Sequence, residues 1–287
     1  MLSTLTYHGL FQYPLTKEEI LIYLIDRKSS AKGIDQALKN LKSEGKVGAS
    51  RGYYFLNKSK RLPTQRIART KISKQKFKNA KFYSYILKLI PTVKLVAITG
   101  ALSMENSTKK DDIDLLVVTS KNMLWSTRFF ANLLLLPWKR NPQSDIQKDK
   151  ACLNLFLDES NLKISDKNLY TAHETCQAKL LWDRDNMYQK FVMSNKWVSK
   201  YLPNWQADLK SKTNFRRKTT NKSIFGPFLK EVEKHLKKFQ LNYMSSRMTT
   251  EKIGDRQLFF HPKDTQSTIL KNYQKALKTQ RLQILDK

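Results

Sequence analysis

Three short, almost wholly apolar runs constrain the fold of this chain more than any other feature: VKLVAIT (residues 93–99), IDLLVVT (113–119) and CLNLFL (152–157). Runs of this length and composition read as strands buried in a sheet. Residues 124–136 between the second and third read as a helical connector that ends at Pro137. Strands alternating with helices from Val93 onward predict a layered centre. With the segments on either side of it, the expected class is α+β. The expected organisation is a small N-terminal unit over 1–58, a mixed-sheet domain with flanking helices over 59–205, and a basic linker with a helical region over 206–287.

The N-terminal unit is legible from its boundary signals. Thr16-Lys17-Glu18-Glu19 has the capping-box pattern, with Ile20, Tyr23 and Leu24 following at helical spacing. A second helix fits Ala31 to Ser43, where Ile34, Ala37, Leu38 and Leu41 form one stripe and Gly45 supplies the stop. VGASRGYYFL then reads as a hairpin turning at Ala49-Ser50-Arg51-Gly52. Helices followed by a hairpin resemble a winged helix-turn-helix. In that arrangement Gln36, Lys39, Asn40 and Lys42, with Arg51 on the wing, are the residues offered to a nucleic acid. Winged helices also serve as protein-docking modules, so a protein partner stays open beside a nucleic-acid one.

Charge sharpens the question of partner. The chain has 54 Lys plus Arg against 24 Asp plus Glu, a formal net charge of +30. Such an excess favours a polyanion, since neutralising phosphates releases counterions. Residues 58–88 carry eleven basic residues and no acidic one. Pro63 opens a helix there, and Phe77, Ala80, Tyr83, Leu87 and Ile90 recur near the helical period. One face therefore packs, and Arg66, Arg69, Lys71, Lys74, Lys78 and Lys81 are expected on the exposed one, as a solvated face or a phosphate-tracking one. Beyond Lys167 the chain reads as largely helical to Ser199, with Tyr170, Leu180, Leu181, Phe191 and Trp197 in the core. The acid-free stretch 210–230, containing Phe215-Arg216-Arg217-Lys218, reads as a linker or binding segment, and two helices are expected near 223–246 and 265–283.

Several classes are disfavoured. Two cysteines, Cys152 and Cys176, are too few for a disulfide framework or a four-cysteine zinc site. The apolar stretch 129–138 is about half the ~20 residues needed to span a bilayer. The first residues lack the basic-then-apolar order of a secretory signal. The expectation is a cytoplasmic protein with no membrane partner. His8, His173, His235 and His261 show no metal-ligand spacing, and no P-loop, dinucleotide fingerprint or nucleophile elbow occurs.

The sharpest chemical signal is acidic. No acidic residue lies between Glu44 and Glu105; then Asp111, Asp112 and Asp114 arrive together at the mouth of a strand. Strand periodicity turns Asp112 and Asp114 to one face. Carboxylates that close raise one another's pKa, and a divalent cation with a taste for hard oxygen ligands removes the conflict. Three aspartates could instead close a turn and neutralise Lys109 and Lys110.

Gly100-Ala101, ten further residues, then Asp-x-Asp opening a strand: this pattern resembles the nucleotidyltransferase superfamily of the DNA polymerase beta type. YHGLFQYPLT, RGYYFL, SMENSTKKDDIDL, Trp125 to Arg128, CLNLFL, Tyr170-Thr171-Ala172 and FFHPKD extend the likeness to bacterial proteins that join an N-terminal winged helix to such a domain. The resemblance implies a magnesium-dependent enzyme, with manganese as a substitute. It would transfer NMP from an NTP to a nucleic acid, protein or small molecule and release pyrophosphate. Asp112 and Asp114 would be catalytic and hold metal ions about 3.5–4 Å apart. Gly100, Ala101 and Ser103 would hold the nucleotide's phosphates, and Lys110 and Arg128, with Lys109, would stabilise charge. Ala101 stands where a serine or second glycine is usual. The third carboxylate is also missing from its usual place. Asn154 takes the expected position on CLNLFLD, Asp158 could serve as a metal ligand if the strand runs further, and Asp166 and Asp183 are remoter candidates. The alternative is a DNA- or RNA-binding regulator with a degenerate transferase fold.

Overall fold

A computed structural model describes residues 1–56, 61–141, 144, 146–205, 226–245, 251–260 and 265–285. Helix α1 (Leu2–Gly9) is followed by α2 (Lys17–Ile22), α3 (Ala31–Ser43) and an antiparallel hairpin of β1 (Val47–Ser50) and β2 (Tyr53–Leu56). Thr16 and Glu19 form the reciprocal capping box that starts α2. Gly45, at φ +66°, ends α3: its N–H bonds Lys42 O while Lys46 N–H reaches back to Leu41 O. Leu15 bridges to Tyr54 in the hairpin, and Leu5, Leu15, Ile20, Ile34, Leu38 and Val47 form the unit's own core.

The 26-residue α4 (Leu62–Leu87) begins with Pro63 in its first turn. After it come β3 (Val93–Ile98), the single turn α5 (Gly100–Ser103), β4 (Ile113–Thr119), α6 (Leu124–Leu134) and β5 (Ala151–Asp158). Then follow α7 (Leu169–Gln177), β6 (Lys179–Asp183), α8 (Met187–Ser194), a 3-10 turn (Lys196–Lys200), α9 (Gly226–Ser245), β7 (Lys252–Ile253), β8 (Gln257–Phe259) and α10 (Thr265–Leu285). The sheet order is β6-β3-β4-β5-β8-β7, with β4 and β5 parallel and the other pairs antiparallel. This is an α+β chain with a mixed six-stranded sheet and flanking helices.

Two expectations change. Residues 167–199 are not continuously helical: KLLWD adds an edge strand to β3, and Leu180 is exposed rather than in the core. The C-terminal region is likewise not only helical, because QLF pairs with β5 and extends the sheet. Both strands are too short to carry a periodicity of their own and exist through pairing with a neighbour. The basic segment at Phe215–Lys218 lies outside the described residues, as do residues 261–264 of FFHPKD. The expected terminal helices are present as α9 and α10.

The sheet has two differently furnished faces. On the first, Ile113, Leu115, Val117, Leu153 and Phe156 pack with Tyr83, Leu87 and Trp125 from α4 and α6, and with Met244 of α9. Glu233 of α9 caps α6, accepting from Trp125 N–H (2.6 Å) and Ser126 N–H (2.8 Å). On the second, Leu95, Ala97, Leu116, Val118 and Leu157 meet α7, α8, α10 and Tyr7 of α1. The N-terminal unit is thus packed onto this second face. Arg66 ties it to α4: buried at 5% exposure, it pairs with Glu19 at 2.8 Å, donates to Met104 O at 2.6 Å and lies over the Tyr13 ring.

Candidate metal centre

The approach to β4 is fixed before its aspartates appear. Thr108 donates to the Asp111 carboxylate from both N–H (2.8 Å) and Oγ1 (2.6 Å), closing a turn. Lys76, almost fully buried on α4, donates to Asp111 O and Asp149 Oδ1, both at 2.6 Å. Tyr83 OH donates to Asp149 O at 2.7 Å, and Asp149 N–H to Asp111 O. Asp111 is therefore consumed by the turn. Asp112 and Asp114 are left to do something else.

Asp114 lies between Ile113 and Leu115, both in the first core, so its side chain points to the second face. The parallel register sets Cys152 beside it on β5. Ligand atoms of Asp112, Asp114 and Cys152 lie within 4.8 Å of one another, a group that could hold a metal ion. The Cys152 thiol donates to Asp114, and burial lifts the thiol's pKa well above the usual range. Burial also raises Asp114, with Asp112 and then Glu174 adding repulsion. Arg140 Nη1 approaches Asp112 Oδ2 at 3.0 Å. This is an ion pair by distance without hydrogen-bond alignment, because Asp112 Oδ2 and Arg140 Nε are buried without hydrogen-bond partners. A carboxylate held by a misaligned guanidinium, beside a second, proton-favouring carboxylate, is a donor set that could accept a cation.

Gly100 completes the geometry. It sits at φ +63°, and a Cβ placed on it would lie 2.6 Å from Asp114 Oδ2. Both backbone conformation and the close carboxylate therefore demand glycine. Its N–H donates to the carboxylate of Glu174, which arrives from α7. Burial raises Glu174 to about 7, opposed by that hydrogen bond.

The structure brings Gly100, Asp112 and Asp114 together. Ala101 is exposed beside them on α5, and Ser103 Oγ donates to Gly100 O at 2.7 Å, so this hydroxyl braces the turn. Lys109 and Lys110 are exposed on the loop. Arg128 is elsewhere: it is bound by Gln240 and Met244 of α9 and lies over Phe260. Asn154 shares the second face with Asp114 but stands at a bulge further along β5. The β4–β5 register slips between Leu115 and Leu116, making Asn154 the extra residue, so Leu153 and Leu155 enter opposite cores instead of one. Asn154 lines a cavity on the second face. Asp158 is at the far end of β5, opposite Thr119, accepting from Asn122 N–H and from Ser160. Asp166 pairs with Lys252, and Asp183 caps α8 through Met187 and Tyr188 N–H.

Of the residues offered to nucleic acid, Lys39, Lys42, Arg51 and Lys74 are exposed, and Gln36 and Asn40 are exposed but bonded to each other at 3.0 Å. Arg66 and Arg69 are not on an open face. Arg66 is buried as described, and Arg69 donates to Phe11 O, Asn106 and Gln12. Lys71, Lys78 and Lys81 are exposed as expected. The sequence reading missed Cys152, Glu174, Arg140 and the structural lysine Lys76. Cys152 stands two residues before Asn154, and strand parity alone would have set it on the same face.

No family model matches the chain, and no curated protein or solved structure matches it either. Among the described residues no helix is long and apolar enough to cross a membrane.

Proposed function

We propose that the chain is a divalent-metal-dependent nucleotidyltransferase whose centre is Asp112, Asp114 and Gly100. The observation that carries this reading is the close approach of a positive-φ glycine turn to a buried carboxylate pair, one member of which is held only by the Arg140 ion pair. Asp112 and Asp114 supply hard oxygen ligands for Mg²⁺ or Mn²⁺, whereas Cys152, a thiol that burial keeps protonated, would have to lose its proton to join them. A bound cation would neutralise the pair and polarise a phosphoryl oxygen. Gly100 lets a phosphate approach the backbone closely. Its N–H is held by Glu174, so an incoming phosphate competes with that carboxylate. Arg140, paired with Asp112, is the cation nearest the cluster that could turn toward a phosphate.

The test is incubation of the protein with labelled NTPs, Mg²⁺ or Mn²⁺, and nucleic-acid, protein and small-molecule acceptors. Transfer lost in Asp112→Ala is expected. No transfer to any acceptor, with nucleotide affinity unchanged in that variant, would sink the reading. A second reading, nucleotide binding without turnover, is favoured by one specific observation. Cys152 stands beside Asp114 where a third carboxylate would act as base. Cys152→Asp separates the two, since a binding protein gains metal affinity from it without gaining transfer.

We further propose that the N-terminal unit acts as a winged helix that contacts nucleic acid through Lys39, Lys42 and Arg51, with Lys74 of α4 contributing. Its helix order, the hairpin and the exposure of these cations support this. Binding that weakens steeply with salt is expected; a flat salt response would remove phosphate contact from the account.

A further inference from the structure

A cavity of about 290 Å³ opens on the second face of the sheet, one residue from the turn glycine. Its size lies at the lower end of the range for small-ligand sites. Leu116, Leu155, Ile164, Phe191 and Phe259 give it apolar walls, and the first turn of α10 closes one side. Its charge runs against that of the chain. Among the described residues the lining holds Asp166 and Glu174 against a single cation, Lys252, which is already paired with Asp166. A phosphate placed inside would find no free counter-charge among those residues.

Two polar groups in the lining lie at the sheet itself and are almost fully buried. Thr99 is 5% exposed, and its Oγ1 is buried without a hydrogen-bond partner. Asn154 is 7% exposed. Its backbone carbonyl is taken by Phe260 N–H, while its side-chain amide makes no hydrogen bond among the described residues. Buried polar groups ordinarily have partners. Here the bulge in β5 pushes a donor–acceptor pair into an apolar cavity that does not itself satisfy it. Two threonine hydroxyls of α7 differ: Thr171 donates to Asp166 O, and Thr175 donates to Thr171 O.

We propose that this cavity binds an uncharged nucleobase, with Asn154 reading its edge and Thr99 contributing one further hydrogen bond once a χ1 rotation brings its enclosed Oγ1 to the cavity. Flat rings suit the apolar walls, and an asparagine amide pairs with adjacent donor and acceptor atoms, as it does with adenine. The inference rests on the nucleotidyltransferase reading only for its purpose. The base belongs either to the donor nucleotide, whose phosphates would lie at Gly100, or to a nucleoside acceptor.

The experiment is an adenosine titration followed by saturation-transfer NMR, run on the full chain in EDTA so that no metal site contributes. Ribose 5-phosphate and glucose serve as comparison probes. Adenosine is expected to bind, with affinity falling at least tenfold in Asn154→Ala and about threefold in Thr99→Val. The Thr99→Val change is nearly isosteric and removes a hydroxyl that has no partner, so the fold is retained; melting curves check both variants. ATP titration with Mn²⁺ then assigns the source. A parallel loss of ATP affinity in Asn154→Ala makes the base the donor's own, and unchanged ATP affinity makes it an acceptor's. Adenosine that does not bind, or binds equally to both variants, overturns the proposal, as does a preference for ribose 5-phosphate. Failure of the metal reading would appear separately, as absence of Mn²⁺ binding by the unmodified protein.

Discussion

The two faces of the central sheet are made from the same strands and do opposite things. Along β4, Ile113, Leu115 and Val117 enter a core closed by α4, α6 and α9, where apolar packing dominates and the Trp125 Nε1 is a buried polar atom without a partner. Their alternate neighbour Asp114 faces the other way, above Leu116 and Val118, into a region with orphaned polar atoms, two carboxyls of raised pKa and a cavity. One face supplies rigidity; the other keeps its hydrogen-bonding capacity unspent. Such unspent capacity in a packed protein marks the place where a ligand completes the structure.

The comparison breaks most readily through stability. Leu115→Ala opens a cavity in the closed face and is expected to cost about 2–5 kcal/mol in urea unfolding. Asp114→Asn removes a charge that burial disfavours and should leave unfolding midpoints equal or higher. A costly Asp114→Asn would mean that the carboxylate is structural, like Asp111. Next in size is Lys76→Met, which strips a buried lysine from Asp149 and the turn at Asp111; breaking a buried pair costs about 3 kcal/mol or more. Its urea midpoint should fall, and Mn²⁺ affinity with it, because Asp112 follows that turn directly.

A smaller effect probes the anion-binding turn. Glu174→Gln removes a carboxylate from the Gly100 N–H and should raise ATP affinity several-fold at pH 8, where the native side chain is ionised. Unchanged affinity would separate Gly100 from the phosphate path.

The smallest effect is a pH trend confined to the second face. His8 and His173 are buried where α1 meets α7, ring centroids 4.9 Å apart, and burial lowers both, His8 to about 4. Groups lowered below 6.5 give stability that is full above that pH and lost as pH falls toward 4. Glu174, raised from 4.5 to about 7, works oppositely: its contribution is full below 4.5 and lost as pH rises through 7. In the native protein the trends oppose one another between pH 4.5 and 6.5. Melting scans of Glu174→Gln should therefore show a steeper fall on acidification than the native chain. Parallel curves would deny that these groups titrate differently in the folded state.

Much of the architecture was legible because it is local. Thr16 with Glu19, Gly45 and Pro63 mark helix ends through backbone chemistry that needs no tertiary partner, and IDLLVVT can hardly be anything but a buried strand. The Asp112–Asp114–Gly100 arrangement follows from strand parity and a turn. What escaped depends on contacts distant in sequence. KLLWD and QLF become strands only beside β3 and β5. Arg66 and Arg69 read as exposed cations because nothing local announces Glu19, Met104 O, Phe11 O and Asn106 as their partners. The bulge at Asn154 reversed the parity of the second half of β5, sending Leu155 and Leu157 to the face opposite Leu153. Glu174 reaches Gly100 from a helix more than seventy residues later.

Electron paramagnetic resonance titration of Mn²⁺, comparing the native protein with Asp112→Asn/Asp114→Asn, tests the central claim most directly. Free Mn²⁺ gives the sharp signal, so binding is read as its loss. The account predicts saturable binding by the native chain, tightened by ATP and weakened at least a hundredfold in the double variant while its melting curve stays intact. Equal Mn²⁺ binding by both folded proteins would contradict it.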